Sequence, residues 1–177
     1  MTMHRIVRGV VPVKTENKIT IRALQQKDAP FLCSIFKDNA EYYEIFFDSE
    51  SALSEWENRA TQFLEQDAVS HFIIEANGGS VGWISFSDTE TAERDLCILV
   101  ISKAYLRYGY GTQSLSWLIE KSKADHMQGL LLNVNQNNAR AIRFYQSLGF
   151  EIFAEEIVPE CNDAVDLAQY RMRLSLS

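Results

Sequence analysis

A chain of 177 residues that is 46% apolar, 11% aromatic and 23% charged has the profile of an ordinary folded protein, which excludes a coiled coil, a collagen-like repeat and a disordered chain. Seventeen Lys and Arg stand against 24 Asp and Glu, and the net charge of -7 argues against nucleic acid or an anionic membrane as a general electrostatic partner. Cys33, Cys97 and Cys161 lie about 64 positions apart without a Cys-x-x-Cys pair, and His4, His71 and His126 are equally scattered, so no metal site is expected.

At this length a single domain is expected, running from residue 18 to 177 after an N-terminal extension of residues 1–17. The extension has no apolar stretch of signal-peptide length, and no run approaches the ~20 apolar residues of a membrane span, so a cytoplasmic protein is expected. Strict alternation over Lys18 to Ala23 predicts a half-buried strand. Asp28 then fits a helix cap, with Pro30 just inside a helix running to about Lys37. Leu53, Trp56, Ala60, Phe63 and Leu64 recur at helical spacing, which predicts a second amphipathic helix over Ser51 to Gln66.

His71 to Ala76 and Ser80 to Ser87 read as strands joined by Asn77-Gly78-Gly79, residues that tolerate the positive φ of a hairpin turn. Asp95 to Ser102 is nearly continuous in apolar residues, as a central strand covered on both faces should be. The pattern then predicts a helix over Thr112 to Ala124, a buried strand over Leu130 to Val134, and a helix from Asn138 to Leu148 closed by Gly149. Phe150 to Val158 and Val165 to Leu174 complete the series as strands. The order describes an α/β protein with one mixed, mostly antiparallel sheet and helices on its faces.

Two stretches carry chemistry. In Tyr105-Leu106-Arg107-Tyr108-Gly109-Tyr110-Gly111-Thr112, a glycine-bearing turn leads from a buried strand into a helix, leaving unpaired N–H groups at the positive end of the helix dipole. Glycine at 109 and 111 removes Cβ atoms that would hold a phosphate away. The turn lacks the Lys-Ser or Lys-Thr of a P-loop and the third glycine of a dinucleotide fingerprint. In the second stretch, Asn138 to Phe150, positions 138 and 145 are two helical turns apart, so Asn138 and Tyr145 project from one face about 10 Å apart.

Together the two motifs resemble the GNAT superfamily of N-acetyltransferases, and the strand and helix order is similar over about Ile19 to Leu174. The resemblance implies a sheet splayed at its centre, with acetyl-CoA entering the gap as cosubstrate. The amides of Arg107, Tyr108, Gly109, Tyr110, Gly111 and Thr112 would hold its pyrophosphate. Backbone groups of Leu99, Val100 and Ile101 would pair with the pantetheine arm, Asn138 would touch that arm, and the Tyr145 hydroxyl would sit near the sulfur as general acid. Arg140 and Arg143 could meet the 3′-phosphate of CoA, or be solvated helix arginines. The sequence departs from the family at Leu106, where a polar side chain is usual; Arg107, one position on, could supply the charge.

The acceptor implied is a primary amine, on a small molecule or a peptide. A lysine-like amine is protonated at pH 7 and must lose a proton before it attacks. In many members of the family a Glu near the start of the central strand takes that proton. The matching position here is Leu96, with Asp95 beside it and Glu93 two residues further back; a bulge would be needed to turn Asp95 inward. Asp95, Glu93 and a water chain stay open as the base. The aromatic group Tyr42, Tyr43, Phe46 and Phe47 falls in the region that walls the family's acceptor pocket. None of the three cysteines has a His-Asp context, which favours direct attack over an acyl-cysteine. An inactive CoA-binding or protein-interaction module on the same fold is the alternative, and homodimerisation is left open.

Overall fold

The computed structural model describes residues 18–39, 53–65, 67–158 and 167–176. The N-terminal extension, the aromatic group at 42–47 and Cys161 lie outside the described residues. Seven strands form one sheet: β1 (Ile19–Ala23), β2 (Ser70–Ala76), β3 (Gly79–Asp88), β4 (Glu93–Ile101), β5 (Gly129–Asn135), β6 (Glu151–Val158) and β7 (Leu167–Ser175), in the spatial order β1-β2-β3-β4-β5-β7-β6. Every pair is antiparallel except β4 with β5. The described helices are α1 (Ala29–Asp38), α2 (Leu53–Glu65), α3 (Tyr110–Ala124) and α4 (Ala139–Ser147).

The alternation of apolar side chains through the sheet divides the core in two. Leu32, Ile35 and Phe36 of α1 and Trp56 and Ala60 of α2 pack with Ile73, Trp83 and Val100 on one face. Leu115 and Leu118 of α3 pack with Ile74, Ile84, Phe86, Leu96, Leu130, Leu132 and Met172 on the other. Each fully buried side chain of this size contributes roughly 1.5 to 3 kcal/mol, so both helix layers are held by burial more than by intrinsic propensity. Arg94 of β4 is an exception inside the second cluster: it is 2% exposed, lies over the Phe86 ring, and bonds Asp88, Asp125 and Ser122, tying β4 to the last turns of α3.

Some boundaries differ from the sequence expectation for physical reasons. The hairpin turn is two residues rather than three, with Asn77 at φ 52° and Gly78 at φ 80°, the pair of positive angles that matches the twist of a hairpin; Gly79 already belongs to β3. Asp28 stands at the start of α1 but its carboxylate turns back, accepting bonds from the Gln25 N–H at 2.9 Å and from Arg22 at 2.7 Å, so it closes a preceding 3-10 turn instead of capping α1. Helix α3 starts at Tyr110, two residues earlier than predicted, because Gly109 supplies the left-handed residue before it at φ 80°.

Two features of β4 position the site. Its ladder with β3 slips so that Ile98 faces Ser85 and Leu96 faces Phe86, leaving Cys97 as the extra residue of a bulge. Leu96 on one side of the bulge and Leu99 on the other therefore share the α3 face, while Ile98 and Val100 face α1 and α2. The pairing of β4 with β5 runs only from Glu93–Gly129 to Leu96–Leu132. Beyond it the two strands part.

Candidate functional site

The parting of β4 and β5 opens a cleft of about 360 Å³. One wall is Leu99, Val100 and Ile101, which β3 pairs on its far side, and the opposite wall is Asn138, Arg140, Ala141, Phe144 and Tyr145 of the α4 segment. The floor is the turn after β4 with the start of α3: Lys103, Tyr105, Leu106, Arg107, Gly109, Tyr110, Gly111 and Thr112. Helix α4 has no fully buried residue although its apolar positions are regularly spaced, because that face borders the cleft as well as the core.

At the floor the first three N–H groups of α3, on Tyr110, Gly111 and Thr112, have no acceptor within the helix, and no side chain caps them. The glycines serve two separate ends. Gly109 is required by its φ of 80°, and a Cβ there would meet nothing within 4 Å; a Cβ on Gly111 would make ordinary contact with Phe144 and Ile101, 3.6 and 3.9 Å away, so only a larger side chain there would encroach on the cleft. Arg107 holds φ 70°, a left-handed conformation that costs a non-glycine residue about 1 kcal/mol. The described lining contains Lys103, Arg107 and Arg140 and neither Asp nor Glu, in a chain whose net charge is -7.

On the opposite wall the Asn138 side chain accepts the Ala141 N–H at 3.1 Å, capping α4 while it lines the cleft. Tyr145 follows two turns later, its ring edge-on to Phe150 at 5.7 Å, and burial pushes its phenol up to about 12. The structure thus gathers Leu99, Val100, Ile101, Arg107, Gly109, Tyr110, Gly111, Thr112, Asn138 and Tyr145 around one cleft. Tyr108 projects beside the lining, 54% exposed, and Arg143 is exposed on α4 outside it.

Asp95 is not among the lining residues. Its carboxylate accepts a 2.8 Å bond from Arg171 of β7, whose other terminal nitrogen reaches Asn133 of β5. Arg94 and Leu96 face α3, so Asp95 lies on the α1 and α2 face of β4, and the bulge at Cys97 gives Ile98 and Val100 the same side. Glu93 pairs with Arg173 at 2.7 Å. Asn39, at the end of α1, was not foreseen: it lines the cleft, 7% exposed, and donates to the Ile35 carbonyl at 2.7 Å. Nor was Lys103. Asn39 reaches the cleft through the folding of the sheet, which no local pattern announces, whereas Lys103 lies in the turn between Ile101 and Tyr105. Cys97 is exposed with its thiol pushed up by burial of the sulfur, Cys33 is buried, and neither lines the cleft. Among the described residues no group of three His, Cys, Asp or Glu could hold a metal, and no helix is long and apolar enough to cross a membrane.

A mixed sheet parted between its one parallel pair, with unpaired helix amides facing the gap, defines the architecture of an acyl-CoA N-acyltransferase. The family model described as the Acetyltransferase (GNAT) family matches residues 32–150, about two thirds of the chain, and the chain belongs to that family. No curated protein sequence matches it. Among solved structures it is similar to the spermidine N-acetyltransferase of Vibrio cholerae in complex with CoA and spermine, with a TM-score of 0.75 at 16% identity over 89% of this chain and 95% of that one. It is also similar to the ribosomal-protein-S18-alanine N-acetyltransferase of Escherichia coli (TM-score 0.68, 22% identity, 90% and 95% covered). A third likeness is to yncA of Salmonella typhimurium with its cofactor acetyl-CoA (TM-score 0.70, 21% identity, 91% and 95% covered).

Proposed function

We propose that this chain transfers the acetyl group of acetyl-CoA to a primary amine by direct attack, without an acyl-enzyme. The observation that carries the reading is the sign of the cleft: Lys103, Arg107, Arg140 and three unpaired helix amides converge on it, with no carboxylate in the described lining of an acidic chain. That set fits a pyrophosphate. Residues Arg107 to Thr112 hold it, and the edge of β4 at Leu99 to Ile101, freed where the ladder with β5 ends, offers backbone partners to the amide-bearing arm. Asn138 touches that arm from the opposite wall.

Tyr145 donates to the leaving sulfur. Asp95, on the α1 and α2 face of β4 where the acceptor is proposed to enter and held by Arg171, takes the proton of the amine through water. Asp95→Asn should then lower kcat at pH 7 at least tenfold and recover much of it near pH 9.5, where more of the amine is already neutral; a uniform loss at every pH would leave the base to another group. The acceptor is an amine of a small molecule or a peptide, a range that spans the substrates named for the Vibrio and Escherichia neighbours. The setting proposed is cytoplasmic, where acetyl-CoA is supplied, with no nucleic-acid or membrane partner.

The test is a melting curve with acetyl-CoA or CoA, followed by thiol release across a panel of amines. Binding N but not U raises the melting temperature, and a ligand at 100 times its Kd adds about 2.7 kcal/mol. Absence of any shift at millimolar ligand refutes the reading. A shift without thiol release for any amine would instead indicate a CoA-binding module, the reading to which Leu106 lends itself.

A further inference from the structure

We infer that Asn39 selects primary amines: its amide oxygen accepts the hydrogen that stays on the attacking nitrogen, so an N-alkylated amine, which has no such hydrogen to spare, is turned away. The inference rests on the reading of the cleft as an acetyl-CoA site with an amine acceptor, and adds the residue that distinguishes one class of acceptor from another.

The place of Asn39 in the fold comes first. Leu99, Ile101, Phe144 and Tyr145 of the cleft pack with the α3 side of the core, whereas Val100 packs with the α1 and α2 side. The cleft therefore passes through the plane of the sheet where β4 and β5 part. The amides at the start of α3 and Tyr145 lie on one side of that plane. Asn39 enters the lining from the end of α1, on the other side, the face on which Asp95 lies. An amine approaching from that face meets Asn39 at the opening through the sheet.

The hydrogen bonds of Asn39 decide which of its amide atoms is available. Its backbone N–H donates to the Phe36 carbonyl at 3.0 Å, and its side-chain nitrogen to the Ile35 carbonyl at 2.7 Å. Two carbonyl oxygens at that distance would repel, which fixes the orientation of the amide. Among the described residues no donor reaches the side-chain oxygen, although Asn39 is only 7% exposed. Closing the end of α1 explains the nitrogen. It leaves a buried acceptor without a donor, on a side chain that lines the cleft, and such a group is costly until a donor fills it.

The reaction supplies that donor. A neutral primary amine attacks with its lone pair: the C–N bond forms at the thioester carbon, the C–S bond breaks, and the sulfur leaves with its electron pair and takes a proton from Tyr145. One hydrogen of the amine departs as a proton through water toward Asp95, and solvent returns a proton to Tyr145. The second hydrogen remains in the product amide, and Asn39 holds it. A secondary amine has a single hydrogen, which must depart, so its alkyl group would face the oxygen and leave it unfilled. A site built around a hydrogen bond rejects the analogue lacking it far more strongly than one that differs only in shape.

Thiol release from acetyl-CoA by the full chain at pH 9.5 tests this with matched pairs, butylamine against N-methylbutylamine and alaninamide against its Nα-methyl form. The unmodified protein should favour each primary amine by more than about tenfold in kcat/KM. Asn39→Leu, close in volume and without a polar atom, should lower kcat/KM for the primary amines at least about tenfold, with the secondary amines within threefold and the Kd for acetyl-CoA within twofold. Asn39→Asp keeps an oxygen in the cleft and should retain the preference, with a lower melting temperature for want of the bond to Ile35. A preference of tenfold or less in the unmodified protein overturns the proposal, whether or not either variant folds, and so does an unchanged preference in Asn39→Leu. Acetyl-CoA binding without thiol release from any primary amine would instead remove the transferase reading beneath it.

Discussion

The phenol of Tyr145, pushed up to about 12 by burial, keeps its proton throughout the range in which a transferase is assayed. A thiol ionises near 8.5 in water, so full transfer from this phenol is uphill unless burial raises the thiol as well. The contribution proposed for it as general acid therefore belongs at the lower end of such effects, and Tyr145→Phe should reduce kcat about 10²-fold with the KM for acetyl-CoA within twofold. The kcat profile of the unmodified protein should show no inflection from this group below pH 11; full kcat in the variant would assign the proton to another donor. Gly111 supplies a second residue-level test. Alanine fits, since its Cβ would sit 3.6 Å from Phe144, whereas the branches of valine project into the gap. Gly111→Ala should keep the Kd for CoA, and Gly111→Val should raise it tenfold or more, about 1.4 kcal/mol, by calorimetry. That Tyr145, Asn138 and the glycines would meet at one place was legible in the sequence, because a helix face or a turn sets their positions. Asn39 was not, because the fold of the sheet, and not its neighbours in sequence, places it at the cleft, whereas Lys103 lies between Ile101 and Tyr105 and follows them there.

Among the elements, α2 rests on a polar group that the cleft does not use. His71 of β2 packs against the rings of Phe63 and Trp83, at 4.6 and 5.5 Å, which are themselves 5.5 Å apart; neither of its ring nitrogens is bonded, and burial lowers its pKa to about 4. An unfolded histidine takes its proton near 6.5, so between pH 6.5 and 4 the unfolded chain binds more protons than the folded one. Stability present above pH 6.5 should decline as the pH falls through this window, by roughly 2 kcal/mol once the partial exposure of the residue is allowed for. His71→Phe, which retains the stack, should flatten the melting temperature between pH 7 and 4.5; an unchanged slope would place the acid sensitivity elsewhere. Asp28 does not confuse the result, because Arg22 holds its carboxyl below the usual range and its protonation comes at lower pH. Periodicity located every described strand and helix to within a few residues, including α2 through Trp56, Ala60 and Phe63. It could not locate the bulge at Cys97, where one extra residue in an unbroken apolar run changes which side chains share a face.

At the scale of the whole molecule, the insertion of β7 between β5 and β6 leaves no local mark in the sequence, since β6 and β7 would read as the same hairpin in either order. The contrast between a cationic cleft and an acidic chain also emerges only here, because Lys103, Arg107 and Arg140 come together on a body that carries -7 overall. Coenzyme A brings roughly four negative charges. Far from the protein it meets net repulsion; inside the cleft it meets attraction. Salt screens the first before the second, since the Debye length shrinks from about 30 Å at 0.01 M to about 10 Å at 0.1 M, still longer than a direct contact. The association rate of CoA should therefore hold or rise between 0.01 and 0.1 M salt, while the dissociation rate climbs mainly above that range as the contacts themselves are screened. A basic protein would show an association rate falling steeply over the same interval. Stopped-flow measurement with a fluorescent CoA analogue across this series distinguishes the two, and a steep early fall in association would mean that the cleft, and not the acidic body, governs the approach.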